Sequence, residues 1–375
     1  MYGAGATAKY YNGPKAGQTV TDANLSAGLV ARGAAINTQS PDMGNLMNDL
    51  SVTKQLKFDI GTLDIKGGWF HSVQNVKQRW AISERVMEAG RDGALIDIYN
   101  SAGTALTSAG LTGYNNQWGG CCARDIDAKF TTDAPYLSLN LASGNFDIDG
   151  GIRRETFRAK GTYAGSKLVP GGMDVNGDRR IVGTVTVIDD QTTVRTGEQA
   201  VYVADIANPG KVDYKVNYTN YSLGVNYRLS SDLSVFVRQS KGYRAIADRL
   251  LYSPNINSTT GALAAGGQQA ALAPVKQSEL GLKYRGRADW GNYAVAATYF
   301  QSTTNEFDYD QTRQDDPTKP GYQGPKLNQV GYKADGIELE TGGTIGNLGL
   351  NVNLVYSDEK MTSNLGDPSQ IGRTS

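Results

Sequence analysis

The stretch Leu348-Gly-Leu-Asn-Val-Asn-Leu-Val-Tyr356 decides the fold. Leu348, Leu350, Val352, Leu354 and Tyr356 fall on one face, and Gly349, Asn351, Asn353 and Val355 fall on the other. A period of two belongs to a strand whose faces meet different surroundings. The run from Tyr221 to Leu229 behaves the same way, with Tyr221, Leu223, Val225, Tyr227 and Leu229 opposed to Ser222, Gly224, Asn226 and Arg228. Only Ser230, Ser231 and Asp232 separate it from Leu233, Val235 and Val237, which oppose Ser234, Phe236 and Arg238. Two alternating runs across so short a connection form a hairpin.

The same unit recurs along the chain. Leu50, Val52, Leu56 and Phe58 turn near Ile60 into Leu63, Ile65, Gly67 and Trp69. Leu137, Leu139 and Leu141 return through Phe146, Ile148, Gly150 and Ile152, and Leu280, Leu282 and Tyr284 through Tyr293, Val295, Ala297 and Tyr299. Ile337, Leu339 and Thr341 lead into the Leu348 strand. Five hairpins predict about ten strands over residues 49–360. The connections between them, 82–126, 162–212, 247–273 and 305–328, read as long irregular loops, of a length that compact soluble domains rarely contain. In an antiparallel meander the tight turns then share one rim and the long loops the other, the asymmetry of an outer-membrane barrel.

Composition agrees. The 375 residues include 37 Lys+Arg, 37 Asp+Glu, 46 Gly and 21 Tyr. A formally neutral chain lacks the basic excess of a nucleic-acid binder. Glycine stands above its usual share without a collagen period. The first residues, from Met1 to Lys15, contain no signal-peptide apolar core, and no stretch approaches 18 consecutive apolar residues, so helices do not cross a membrane here. A β-barrel, whose alternation averages to mild hydrophilicity, fits these values.

The face opposite the leucines carries Glu279, Lys283 and Arg285, Glu338 and Glu340, and Asp147, Asp149 and Arg153. Charges of both signs predict a wet lumen, because burying them unpaired costs several kcal/mol each. A one-sided sheet of a soluble protein would alternate identically. Tyr214, Tyr218, Tyr221, Tyr227, Tyr284, Tyr293 and Tyr299 are expected near strand ends, as an interfacial girdle requires.

Three elements carry a family resemblance: Ser240 to Ala245 (SKGYRA), Glu279 to Lys283 (ELGLK) and Gly336 to Glu340 (GIELE). In that order, on successive strands, they resemble the barrel of a TonB-dependent outer-membrane receptor, clearly over residues 212–360. The resemblance implies an active importer in the outer membrane of a Gram-negative bacterium. Its barrel surrounds a plug domain, takes up a scarce nutrient (ferric siderophore, cobalamin, haem or oligosaccharide) and draws energy through TonB. It also implies outer-membrane lipid as surroundings, no enzymatic activity and no bound cofactor. Because no plug sequence is visible and ten strands are fewer than half of a family barrel, the chain is expected to be one incomplete barrel domain. Residues 1–48 would be a strand end and extracellular loop, and 361–375 the start of a further loop. Two alternatives compete: a complete small barrel, either a channel or an omptin-like enzyme, and a soluble β-rich surface binding protein.

Ligand selection is expected from lumen-facing side chains near the loop rim, Arg238, Arg244 and Glu279, and from the loop aromatics Tyr114, Trp118 and Tyr322; contact among lumen charges or with the plug is the structural alternative. Asp174, Asn176 and Asp178 have the one, three, five spacing of a calcium loop, but Arg179 stands where Gly belongs and Val185 where a bidentate Glu belongs. A polar loop tip is the alternative. Cys121 and Cys122 are adjacent, which permits only a strained disulfide ring or two thiols. His71, the single histidine, excludes a multi-histidine metal centre and is expected on the apolar face of its strand as a packing residue.

Overall fold

Ten long antiparallel strands run in sequence order across one sheet in the computed structural model, which describes residues 4–90, 93–115, 123–188, 193–246, 248–251, 253, 255–309, 327–364 and 368–373. Strand β1 consists of two collinear segments, Val30–Asp42 and Asn45–Phe58, both paired with the single strand β2, Gly61–Glu88. Then follow β3 (Arg124–Ser143), β4 (Phe146–Ala164), β5 (Gly210–Arg228), β6 (Leu233–Ala245), β7 (Leu272–Ala288), β8 (Gly291–Tyr309), β9 (Leu327–Ile345) and β10 (Leu348–Asn364). Each pairs with its sequence neighbours, and among the described residues β1 and β10 are free edges that do not meet. The five expected hairpins are therefore present, and the large sheet starts at Val30, inside the stretch whose composition reads as loop, because the length of β2 supplies it with a backbone partner.

Turn chemistry puts all five short connections at one rim. Gly144-Asn145 and Gly346-Asn347 close their hairpins with two residues each, and both glycines adopt positive φ, 53° and 58°. That conformation suits the twist of a two-residue hairpin and strains any residue with a Cβ.

The two faces of the wall differ, and the difference inverts part-way up. On the outer face of β5, Tyr221, Leu223, Val225 and Tyr227 give way above to Lys211, Asp213, Lys215, Asn217 and Thr219. On β4, Ile148 and Ile152 give way to Arg154, Arg158 and Lys160, and on β2 Leu63, Ile65 and Trp69 to His71, Lys77 and Arg79. Leu223 is 56% and Leu280 59% exposed although both lie on interior strands, an apolar surface that water would not tolerate over ten strands. Trp69, Tyr221, Tyr299 and Tyr356 mark its upper border, and Phe146 with Tyr227 (4.7 Å) and Trp290 with Tyr293 (5.5 Å) mark the turn-side border. From Tyr221 to Tyr227 the strand rises about 20 Å, of the order of a hydrocarbon band.

Above that band the inner face is apolar instead. Val212, Tyr214, Val216 and Tyr218 of β5 and Phe157 and Ala159 of β4 are buried beneath Leu250, Leu251, Ile256, Ala270 and Ala271 of the β6–β7 connection. Two expectations change here. Among the described residues, the connections after β2 and β4 carry short strand pairs, Ile96–Tyr99 with Thr7–Tyr10 and Ser166–Leu168 with Tyr202–Ala204, and the β6–β7 connection packs on the inner face. Tyr214 and Tyr218 belong to this inner core and not to the girdle, because they sit at the opposite parity from Tyr221.

Lower down, aromatic rings of the inner face lie over glycines of the next strand: Tyr136 over Gly68, Phe236 over Gly281 and Phe300 over Gly336, where an added Cβ would come within 2.4 Å of the ring in each case. The rings fill the space between strands without projecting into the lumen.

An arginine placed at Leu223 should destabilise the protein by about 2–4 kcal/mol, whereas one at Thr219 should cost about 0–1 kcal/mol. Urea unfolding of the protein in lipid bilayers reads both; equal costs would contradict the position of the border.

Candidate functional site on the lumen wall

Period two delivers the polar residues of five strands to one concave face. Asp149, Gly224, Arg238 and Glu279 are consecutive register partners across β4, β5, β6 and β7. Arg238 does not pair with its neighbour Glu279. Its Nη2 donates to both carboxylate oxygens of Asp149, at 3.0 Å each, across the intervening strand. Gly224 makes this reach possible, since a Cβ there would stand 2.5 Å from Asp149 Oδ1. Glu279 accepts instead from Gln277 Nε2 at 2.7 Å.

Similar groups lie above and below. Arg228 Nη1 donates to Asp147 Oδ2 at 2.7 Å. Glu155 accepts from the Tyr218 hydroxyl at 3.0 Å and from Asn220 Nδ2 at 2.5 Å, beside the Arg153 guanidinium at 3.1 Å. That guanidinium also stacks 4.6 Å from the Phe70 ring, and Lys283 lies 4.9 Å from Phe236, cation–π contacts that hold cations against the wall. Glu338 and Glu340, also on this face of β9, form no ion pair among the described residues. The wall thus combines ion pairs, cation–π contacts and an acidic strip on β9.

The remaining expected residues are scattered. Arg244, at the loop end of β6, donates to Glu306 at 2.5 Å and is 65% exposed. Tyr114 ends the short strand Leu111–Tyr114 inside the loop cap, where its N–H donates to the Ala200 carbonyl at 3.0 Å. The structure therefore brings together Arg238 and Glu279 and leaves Arg244 and Tyr114 on separate elements. Trp118, Tyr322, Cys121 and Cys122 lie outside the described residues. His71 is on the outer face as expected; it stands just beyond Trp69, with its Nδ1 2.7 Å from Asp133 Oδ1.

In the Asp174 loop the side-chain oxygens serve the backbone. Asp174 accepts from the N–H groups of Gly177 (2.7 Å), Asp178 (3.2 Å) and Arg179 (2.7 Å), while Asp178 takes the Arg180 guanidinium at 3.2 Å. No cluster of metal-ligating side chains occurs among the described residues. Sequence reading missed Glu198, which is fully buried and anchors this loop by accepting from Val175 and Val182 N–H, both at 2.9 Å. It also missed Glu88, far above the apolar band. There Glu88 accepts from the Ser26 N–H (2.5 Å), Lys15 (3.0 Å) and the Tyr10 hydroxyl (3.2 Å). The Ser26 bond first, then Lys15, hold its carboxyl down at about 2.

Two outcomes follow from these contacts. A double-mutant cycle on Arg238→Ala and Asp149→Ala should give a coupling of about 0.2–1 kcal/mol, small because both groups are near 40% exposed; adding Gly224→Val should abolish it, and a coupling that survives would contradict the bridging geometry. The depressed Glu88 carboxyl stabilises the cap above the unfolded-state value near ~4.3, and this contribution is lost as pH falls toward 2. Protection of the Tyr10 strand against hydrogen exchange, taken relative to the intrinsic rate at each pH, should therefore fall between about pH 4 and 2, and Glu88→Gln should remove that dependence.

The family model "TonB dependent receptor-like, beta-barrel" matches residues 3–374. Similar solved structures include the ferric preacinetobactin receptor BauA of Acinetobacter baumannii, at 14% identity and TM-score 0.45, covering 92% of this chain and 40% of that one. The ferric-catecholate import receptor Fiu of E. coli K12 shows 13% identity and TM-score 0.42, covering 88% and 45%. The ferric yersiniabactin uptake receptor FyuA of Yersinia pestis shows 14% and 0.39, covering 89% and 44%. No curated protein matches the sequence. The chain thus spans less than half the length of each of these three receptors. With the meander, the exposed apolar outer face and the charged inner face in place, the match over residues 3–374 establishes that this chain belongs to the TonB-dependent receptor β-barrel family.

Proposed function

We propose that this chain is wall and loops of an outer-membrane receptor that binds a scarce nutrient outside the cell and imports it into the periplasm, with TonB supplying energy through the plug of the whole receptor. The observation that carries this reading is the pairing of a continuous apolar outer face with an inner face of half-exposed ion pairs, Arg238–Asp149 and Arg228–Asp147. A wall of that kind separates lipid from a wet interior. The ligand is a small polar solute of the ferric siderophore, cobalamin or oligosaccharide class. Arg238, Arg244, Glu279 and the loop aromatics Tyr114, Trp118 and Tyr322 contribute to its selection.

His71, the one histidine, faces outward beside Asp133, which weakens the omptin-like alternative, since that chemistry needs its base on the inner face.

Uptake of radiolabelled ferric siderophores, cobalamin and oligosaccharides by cells that make the whole receptor tests the reading. One labelled ligand should accumulate, and a protonophore should abolish accumulation while leaving surface binding. Uptake of no ligand, or uptake indifferent to the protonophore, would contradict active import.

A further inference from the structure

The outer face above the apolar band carries a charge arrangement that the wall itself does not explain. Lys129 of β3 lies directly opposite Lys160 of β4, and Arg158 of β4 directly opposite Lys215 of β5. Like charges placed directly across a ladder destabilise it. Arg154 and Lys211 extend the group, and one carboxylate, Asp213, stands within it opposite Lys160. Among the described residues none of these six cations forms an ion pair, whereas on the adjoining strands Lys77 pairs with Asp127 and Arg79 with Asp125. Two like-charge pairs thus stand side by side on β3, β4 and β5.

Beside the patch, β5 and β6 part. Their pairing ends at Tyr221 with Lys241, and higher up β5 is tied instead to the β6–β7 connection, Lys211 N–H to Ser258 O and Asp213 N–H to Gly261 O. The gap is a cleft of about 780 Å³ whose walls include Arg154, Lys241, Tyr221 and Tyr243. Lys241 in turn opposes Lys276 of β7, a third like-charge pair. Directly below lie the apolar residues Ile152, Leu223 and Val237.

We infer that this face binds a phosphorylated glycolipid of the outer leaflet, of the lipopolysaccharide type. Acyl chains would lie on Ile152, Leu223 and Val237, the sugars in the tyrosine-walled cleft, and the phosphates on the opposed cations. The inference rests on the outer-membrane reading above. Two observations select this occupant. Multivalent anions convert the cross-strand repulsion into attraction, and arginine matches phosphate bidentately. The cations also extend from Arg154 to Lys160, about 20 Å along the strand, farther than the single phosphate of a glycerophospholipid reaches but within the span of a headgroup built of several phosphorylated sugars.

Native mass spectrometry of the whole receptor, delipidated and reconstituted with defined lipids, tests the inference. Phosphorylated lipopolysaccharide should be retained at least tenfold more strongly than its enzymatically dephosphorylated form or a glycerophospholipid, and high salt should weaken retention. The variant K129Q/R158Q/K160Q/K215Q should lose that preference by at least tenfold, while Lys333→Gln, elsewhere on the wall, should not. Equal retention of the dephosphorylated form, competition by inorganic phosphate at the same affinity as the glycolipid, or an unaffected quadruple variant would each overturn it. Should the quadruple variant fail to fold, the comparison of lipids on the unmutated receptor still decides. A receptor absent from the outer-membrane fraction would overturn both readings, whereas one that inserts there without preferring the phosphorylated glycolipid overturns only this inference.

Discussion

A backbone crossing hydrocarbon must pair every N–H and C=O within itself, and in this chain the sheet ladder meets that demand strand after strand. β2 holds β3 through nineteen successive register pairs, from Thr62 with Ala142 to Trp80 with Arg124, and β4 holds β5 through eighteen. Once the backbone is satisfied in the plane of the wall, side chains are free to differ completely between its faces. The outer face can be leucine, isoleucine and tyrosine because no polar atom has to emerge there. The inner face can keep arginines and carboxylates because water and neighbouring charges reach them.

The vertical inversion is the second consequence. Within the band, apolar residues face out and polar residues face in; above it, the outer face is charged and the inner face is packed under the β6–β7 connection. Both arrangements share the same alternation along one strand, so the inversion needs no bulge in β5, only a change in which parity carries the apolar residues. It places the dry core of the molecule at the loop end, where the strands rise clear of the band. The lower lumen stays polar, with glycines such as Gly224 leaving room for side chains to reach across a strand.

Much of this was legible in the sequence. The alternation of Leu348–Tyr356 and of Tyr221–Leu229 gave the strands, and the short connections gave the hairpins and the sorting of loops. Parity also held information that the sequence reading did not use. Tyr214 and Tyr218 differ in parity from Tyr221 and Tyr227, which separates core from girdle, while Lys211, Asp213 and Lys215, above the girdle, share its parity. Other features depend on three dimensions. That Arg238 reaches past Gly224 to Asp149 instead of pairing with adjacent Glu279 follows from the curvature and spacing of three strands. The burial of Glu198 against the Asp174 loop joins segments with no shared periodicity.

The central claim is that one wall separates lipid from a wet lumen and inverts its polarity near Tyr221. Single spin labels along β5 from Lys211 to Tyr227, in the whole receptor in bilayers, test it most directly through accessibility to oxygen and to a water-soluble nickel chelate. Labels at positions 221, 223, 225 and 227 should be reached by oxygen and shielded from nickel. Those at 211, 213, 215 and 217 should be reached by nickel, and those at 212, 214 and 216 by neither. Nickel access at 221, 223 and 225 equal to that at 211, 213 and 215 would mean that water bathes the leucine face, and the account of this protein as a membrane wall would be wrong.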